Sequence, residues 1–397
     1  MNLETHKSQI GGKRWSFSDK IYEKLTQTKV SSEFNPVLSS SIIEFPPFIK
    51  EKRIFGLVWE TPTFKDIDCN YLFHVYDKIP TDIIISTSSG NTVEGVARTI
   101  KKYNEIRHKH LNAILIVPEV SAFKVSQSAI LQNPHVTLIV LKNSTLDSIR
   151  EVALKLKNAL SESFHVSMAS DDLKTCAYAQ MGLVLNDSNL LDENTCYVQT
   201  VSGGVGPVGV IECARELKKP LNLMVVQPVN GTPGALVDAL NAHSKGLDPN
   251  VVLQTGKYKT SAIEPTLGST KPYYALKKFI DWREAGRTVL GVSITRDFLF
   301  QCKKQILDLL VLRGVYPNYT CGSSFFEIEK SAFIAIAGVI RAAREIQAPK
   351  IVINFTGKRP DSNTLDFISA TPHFSFDPKS EDVDRIVEKI VKEVGSL

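Results

Sequence analysis

A chain of 397 residues, 43% hydrophobic and 22% charged, holds ample material for a large core and is long enough for two or three structural units. Its net charge of +5 comes from scattered rather than striped basic residues, which argues against nucleic-acid binding, although a mild positive field would attract an anionic substrate. The six cysteines form no CxxC pair and no metal-type spacing with histidine, no apolar run approaches the roughly 18 residues of a membrane span, and the polar start MNLETHKSQIGGKRW lacks a signal-peptide core, so a cytoplasmic protein with free thiols is expected.

The first fifty residues carry few signals beyond a helix-like SFSDKIYEKL. Arg53 to Trp59 (RIFGLVW) reads as a strand, and Phe64, Ile67, Tyr71 and Val75 then recur at helical spacing. Thr63 and Asp66 fit a capping box, with Thr63 at the N-cap and Asp66 at the third helical position. Lys65 therefore falls in the first helical turn, where the macrodipole disfavours a cation. Taken alone, it reads either as a solvated lysine or as one whose amine is easily neutral. From Asp82 strands and helices alternate: DIIIST before TVEGVARTIKKYNEIRH, NAILIVP before SAFKVSQSAILQ, HVTLIVL before TLDSIREVALKLKNAL. Such alternation implies a parallel sheet with right-handed crossovers, and a compact lobe over residues 82–163. A second block runs through the strand TCYVQTV, the helix VGVIECARELKK and the strand LNLMVVQP. Val229 to Pro272 looks loop-rich. Helical patterns follow in YYALKKFIDWREA, RDFLFQCKKQILDLLVLRG and SAFIAIAGVIRAAREI, then the strand KIVINF and the amphipathic helix SEDVDRIVEKIVKEV.

Three junctions between a strand and the next segment carry candidate chemistry. Thr87-Ser88-Ser89-Gly90-Asn91-Thr92 opens a helix, where free backbone N–H groups suit a carboxylate; it reads equally as a polar helix cap. Ser202-Gly203-Gly204-Val205-Gly206-Pro207-Val208-Gly209 lies between a strand and a helix, with glycines that admit close approach of a phosphate. Its GxGxxG also raises an NADP-dependent reductase, but the acidic residue wanted at the end of the next strand is replaced by Gln227 and Pro228. Thr356-Gly357-Lys358-Arg359-Pro360 follows KIVINF and puts a hydroxyl at a strand's carboxyl end, where open α/β sheets bind ligands.

In this order the motifs resemble those of the fold-type II pyridoxal-phosphate enzymes, and within them the threonine synthase group. PTFKD is similar to the group's TGSFKD, SSGNT to its substrate loop, SGGVG to its phosphate loop and NFTGK to its terminal TG turn. LGSTKPYYALK and EKSAFIAIAG also look like later landmarks, so the resemblance covers roughly Phe55 to Arg359. It implies a tryptophan synthase β-like α/β fold: two open, twisted, mostly parallel sheet lobes with pyridoxal 5'-phosphate in the cleft between them. Residues 1–81 and 164–397 would form the large lobe, and residues 82–163 a small mobile lobe that closes over the substrate. Lys65 would anchor the cofactor as a Schiff base, which accounts for an amine that must be neutral part of the time. Asn91 would bond the phenolic oxygen, Ser88, Ser89, Gly90, Asn91 and Thr92 the substrate carboxylate, and Ser202, Gly203, Gly204, Val205 and Gly206 the phosphate. Thr356 would face the pyridine nitrogen, with Lys358 and Arg359 near an anionic leaving group. The implied activity is that of a lyase or transferase of amino-acid biosynthesis, such as O-phosphohomoserine to threonine. Ile67 stands where the group has arginine and TPT replaces TGS, leaving the substrate open. Asp68 and VINFTG also resemble cysteate synthase, which replaces the phosphate of O-phosphoserine with sulfite. The expected partner is a small amino acid, with neither nucleic acid nor membrane, and a homodimer is the assembly to test.

Overall fold

The computed structural model describes residues 5–394 apart from 89, 132, 230–232, 259–263, 265–266, 268, 313–329 and 357–368. The strands among these are, in chain order, β1 (Thr5–Gly11), β2 (Val37–Phe45), β3 (Arg53–Trp59), β4 (Ile83–Thr87), β5 (Asn112–Pro118), β6 (Val136–Leu141), β7 (Val166–Met168), β8 (Thr195–Thr200), β9 (Asn222–Pro228), β10 (Val289–Ile294), β11 (Lys350–Asn354) and β12 (Phe374–Phe376). They form a seven-stranded sheet of order β1-β2-β3-β11-β8-β9-β10 and a five-stranded sheet of order β12-β6-β5-β4-β7. The chain separates into two compact units, one of Met1–Lys29, Val37–Ile67 and Asp171–Ser362, the other of Val30–Pro36, Asp68–Ser170 and Asn363–Leu397.

In the first unit β1, β2 and β3 pair antiparallel, whereas β3, β11, β8, β9 and β10 run parallel. Strands buried on both faces need apolar residues at every position. Ile351–Ile353 of β11 and Leu223–Val226 of β9 supply them, and the helix Ser331–Arg341 packs its Phe333, Ile334 and Ile336 into the core with Val198, Val226 and Ile353. The stretch from Val229 to Pro272, read as loop-rich, contains the helices Ala235–Ser244 and Pro249–Thr255; Leu236, Val237 and Leu240 bury the first of them.

The second unit's sheet is wholly parallel. Its core joins Ile83, Ile114 and Ile139 to Ile149 and Leu156 on one helix and Ile386 and Ile390 on another. Those last two residues lie in the C-terminal helix Val383–Val394, and β12 extends the same sheet. This C-terminal segment, expected with the larger lobe, belongs to the second unit. Apolar residues at Phe376, Ile386, Val387 and Ile390 instead complete the smaller unit's core.

Cys69, Cys176, Cys196, Cys213 and Cys302 are buried, while Cys321 lies outside the described residues. Burial pushes the Cys196 thiol up to about 12 and raises those of Cys176, Cys213 and Cys302, so these four are packing residues rather than nucleophiles. Among the described residues no helix is long and apolar enough to cross a membrane, and no group of three His, Cys, Asp or Glu side chains is placed to hold a metal.

Candidate active site

Three neighbouring parallel strands, β3, β11 and β8, deliver three of the predicted motifs at their carboxyl ends. β3 leads to Lys65, β11 to Thr356 and β8 to Ser202–Gly206, the edge at which open α/β sheets bind ligands. The loops share one polar tie beneath them. Asn354 Nδ2 donates to Gln199 Oε1 (3.0 Å) and to the Tyr197 hydroxyl (2.8 Å), and Trp59 Nε1 donates to Asn354 Oδ1 (2.9 Å). Tyr197 in turn donates to Gln199 Oε1 at 2.7 Å. All four side chains are buried, and burial raises the Tyr197 pKa, so its phenol stays protonated as a donor.

Lys65 is half-buried, in the turn immediately before the helix Asp66–Tyr76 rather than within its first regular turn. Half of the expected capping box forms around it. Asp66 Oδ2 accepts from Thr63 N–H (3.0 Å), while Thr63 Oγ1 accepts from Lys65 N–H (3.1 Å) rather than from the third helical position. The Lys65 amine donates to the Tyr178 hydroxyl at 3.0 Å. It also stands 4.5 Å from the Phe64 ring centroid and 5.1 Å from that of Tyr178, two rings that stack on each other. Aromatic faces attract an ammonium, so the two rings and the phenol together fix the position of this amine.

Tyr178 belongs to the helix Asp171–Asp187, which the sequence reading missed. Its residues from Leu173 to Leu185 are nearly all buried, so no polar face gives it a visible helical period. Tyr178 also explains Gly209. A Cβ there would stand 2.5 Å from Tyr178 Cβ and 2.6 Å from Thr175 O, so only glycine lets the helix Val205–Glu216 pack this closely. Lys65 is thus tied through Tyr178 to the helix behind the glycine loop.

That loop is fixed by its own residues. Gly204 caps the helix with φ 82°, and a Cβ there would meet Ala275 and Leu236 at 2.7 and 2.8 Å. A Cβ on Gly206 would meet the Gln199 amide at 2.5 Å. Gln227 Nε2 donates to Ser202 O (3.1 Å) and Gln227 Oε1 accepts from Val237 N–H (3.0 Å). The residue that stands where a dinucleotide fold wants an acid therefore braces the loop. Ser269 N–H donates to Ser202 Oγ at 3.2 Å. Thr356 is buried beyond β11, and Lys358 and Arg359 lie outside the described residues.

The remaining predicted residues belong to the second unit, after β4. Ser88 and Thr92 are buried, Thr92 N–H donates to Ser88 Oγ (3.3 Å), and Asn91 opens the helix Asn91–Arg107; Ser89 lies outside the described residues. Gly90, with φ 116°, leaves no room for a side chain, since a Cβ would stand 2.8 Å from Lys124 Cβ. Lys124, 1% exposed, is a residue the sequence reading passed over. SAFKVSQSAILQ reads as one helix but folds as the short helices Glu119–Ala122 and Gln127–Leu131, and the turn between them sets Lys124 under Gly90.

No protein-family model matches the chain, and no curated protein matches it in sequence. Solved structures share its fold. A pyridoxal 5'-phosphate-dependent aspartate racemase superposes with a TM-score of 0.58 at 16% identity, over 89% of this chain and 98% of that one. The processed form of threonine deaminase isoform 2 from Solanum lycopersicum gives 0.54 at 17% identity, over 82% and 86%. An O-ureido-L-serine synthase gives 0.53 at 11% identity, over 81% and 89%. The fold matches that of fold-type II pyridoxal-phosphate enzymes, the fold expected from the order of the motifs.

Proposed function

We propose that this chain is a pyridoxal-phosphate enzyme acting on the side chain of an amino acid, with Lys65 as the covalent anchor. The observation that carries this reading is the setting of Lys65. Its amine lies beyond a central parallel strand, held by a phenol and two ring faces. Tyr178 ties it to a helix whose glycine N-terminus suits a phosphate. When bound, the cofactor supplies the electron sink for a carbanion at the substrate Cα. Lys65 is the base for the Cα proton, and Tyr178 keeps its amine oriented. Ser202, Gly203, Gly204, Val205 and Gly206 hold the phosphate, Asn91 the phenolic oxygen, and Ser88, Ser89, Gly90 and Thr92 the substrate carboxylate. The Thr356 hydroxyl would be the partner of the ring nitrogen, and a hydroxyl there, unlike a carboxylate, would favour elimination and replacement over transamination.

The finer reading is threonine synthase-like: loss of phosphate from O-phosphohomoserine followed by water addition, with Lys358 and Arg359 drawing the anionic leaving group. The motif order and the mild positive charge support it. Borohydride reduction of the protein with its cofactor, followed by peptide mapping, should label Lys65; a colourless protein that binds NADPH would overturn the reading. O-phosphohomoserine and O-phosphoserine, each assayed with water and with sulfite, test the substrate. Phosphate released from the first with threonine formed supports the threonine synthase reading. Release from the second only with sulfite replaces it by β-substitution, and reaction of O-acetylserine alone removes the phosphate requirement.

Thr356→Ala should change the cofactor's absorption and slow turnover in a folded protein. One hydroxyl contact contributes roughly 0.5–1.5 kcal/mol, so cofactor retention should fall only modestly. An unchanged spectrum and rate would take Thr356 out of the site.

A further inference from the structure

At the N-terminus of the helix Val205–Glu216 stands a hydroxyl without a partner among the described residues. Ser269 is 4% exposed, and its Oγ has no hydrogen bond among the described residues. Folded proteins rarely leave a buried hydroxyl unpaired, because water satisfied it in the unfolded chain. The atom is held in place by its own backbone, whose N–H donates to Ser202 Oγ at 3.2 Å. It lies against the glycine loop: a Cβ on Gly203 would stand 3.8 Å from Ser269 Oγ, an ordinary contact distance. On the same loop the helix presents the N–H groups of Val205 and Gly206, which the first turn leaves without intrahelical acceptors, at the positive end of the macrodipole.

We propose that Ser269 completes this cup as a phosphate ligand, donating its hydroxyl to a phosphate monoester held on the helix N-terminus. The inference rests on the cofactor reading for its first choice of ester, pyridoxal 5'-phosphate; a phosphorylated amino-acid substrate presents the same chemistry. A neutral ring of O–H and N–H donors suits a phosphate already accompanied by the positive helix end. Ser269 Oγ, unpartnered among the described residues, gains its partner in the loaded protein.

Ser269→Ala tests this, with Ser188→Ala, another buried hydroxyl lacking a partner among the described residues, as control. Without cofactor Ser269→Ala should melt no lower than the parent, because nothing bonded is lost. Titrated by absorbance, it should bind pyridoxal 5'-phosphate about tenfold more weakly or worse, the worth of a hydrogen bond to a charged group. Unphosphorylated pyridoxal should bind as in the parent, and Ser188→Ala should bind both normally. Unchanged affinity for pyridoxal 5'-phosphate with weakened binding of O-phosphohomoserine assigns the same hydroxyl to the substrate's phosphate. Equal affinities of variant and parent for both esters overturn the proposal. Should the parent itself fail to attach cofactor at Lys65, the cofactor reading falls on its own. The shift in melting temperature with inorganic phosphate then decides for Ser269: a smaller shift in Ser269→Ala supports the cup, and an equal one overturns it.

Discussion

Lys65→Ala should fold, bind the cofactor without a covalent link, and lose activity by about a thousandfold or more. General-base catalysis is worth roughly 10²–10⁴-fold, and the same amine also anchors the cofactor. The fold should survive because the Lys65 side chain is only half-buried, while the turn around it is held by Thr63 and Asp66 through bonds that involve the Lys65 backbone alone. The variant removes an amine and leaves Phe64 and Tyr178 stacked around a gap. A small alkylamine in the buffer should therefore restore part of the rate, while a bulky one should not. The measurements are the visible spectrum, borohydride labelling and turnover with and without added amine. Retention of the label, or of most activity, would show that another lysine carries the chemistry.

Much of the architecture was legible because parallel strands advertise themselves. DIIIST, NAILIVP, HVTLIVL, LNLMVVQP and KIVINF are apolar runs bounded by turns, and all five fold as strands of the two sheets. What stayed hidden was whatever lacked contrast. The helix Asp171–Asp187 is apolar on nearly every side, so the residue that grips the Lys65 amine sat in a segment with no period. β1 and β2 were equally obscure, since SQIG and SSSI mix polar and apolar residues in an antiparallel pair. Lys124 was masked by a pattern that fits one helix, although the chain turns between two short ones. Ser269 carries no local signal: a serine followed by threonine and lysine is an ordinary loop until burial leaves its hydroxyl without a partner among the described residues. Lys65 itself was legible as a conflict, a cation placed against a helix dipole, and its phenol partner was not.

Asn354 was invisible for a further reason: it is a polar residue inside an apolar strand, and only its partners give it meaning. It reaches β3 through Trp59 and β8 through Tyr197 and Gln199, just below the loops that carry Lys65 and Ser202. Asn354→Leu keeps the volume but leaves the Trp59 indole N–H buried without its acceptor and strips Gln199 of one donor. A buried group deprived of its partner costs about 1–3 kcal/mol, so a loss of about 2–4 kcal/mol is expected in urea unfolding. Cofactor affinity should fall with it, because the loops on either side of Thr356 lose their common tie. Trp59→Phe in the same background removes the orphaned N–H, and since deleting both partners is cheaper than deleting one, the double variant should recover part of the loss. Strictly additive losses, or an Asn354→Leu protein as stable as the parent, would reduce the network to independent packing contacts and leave the alignment of the three loops to the sheet alone.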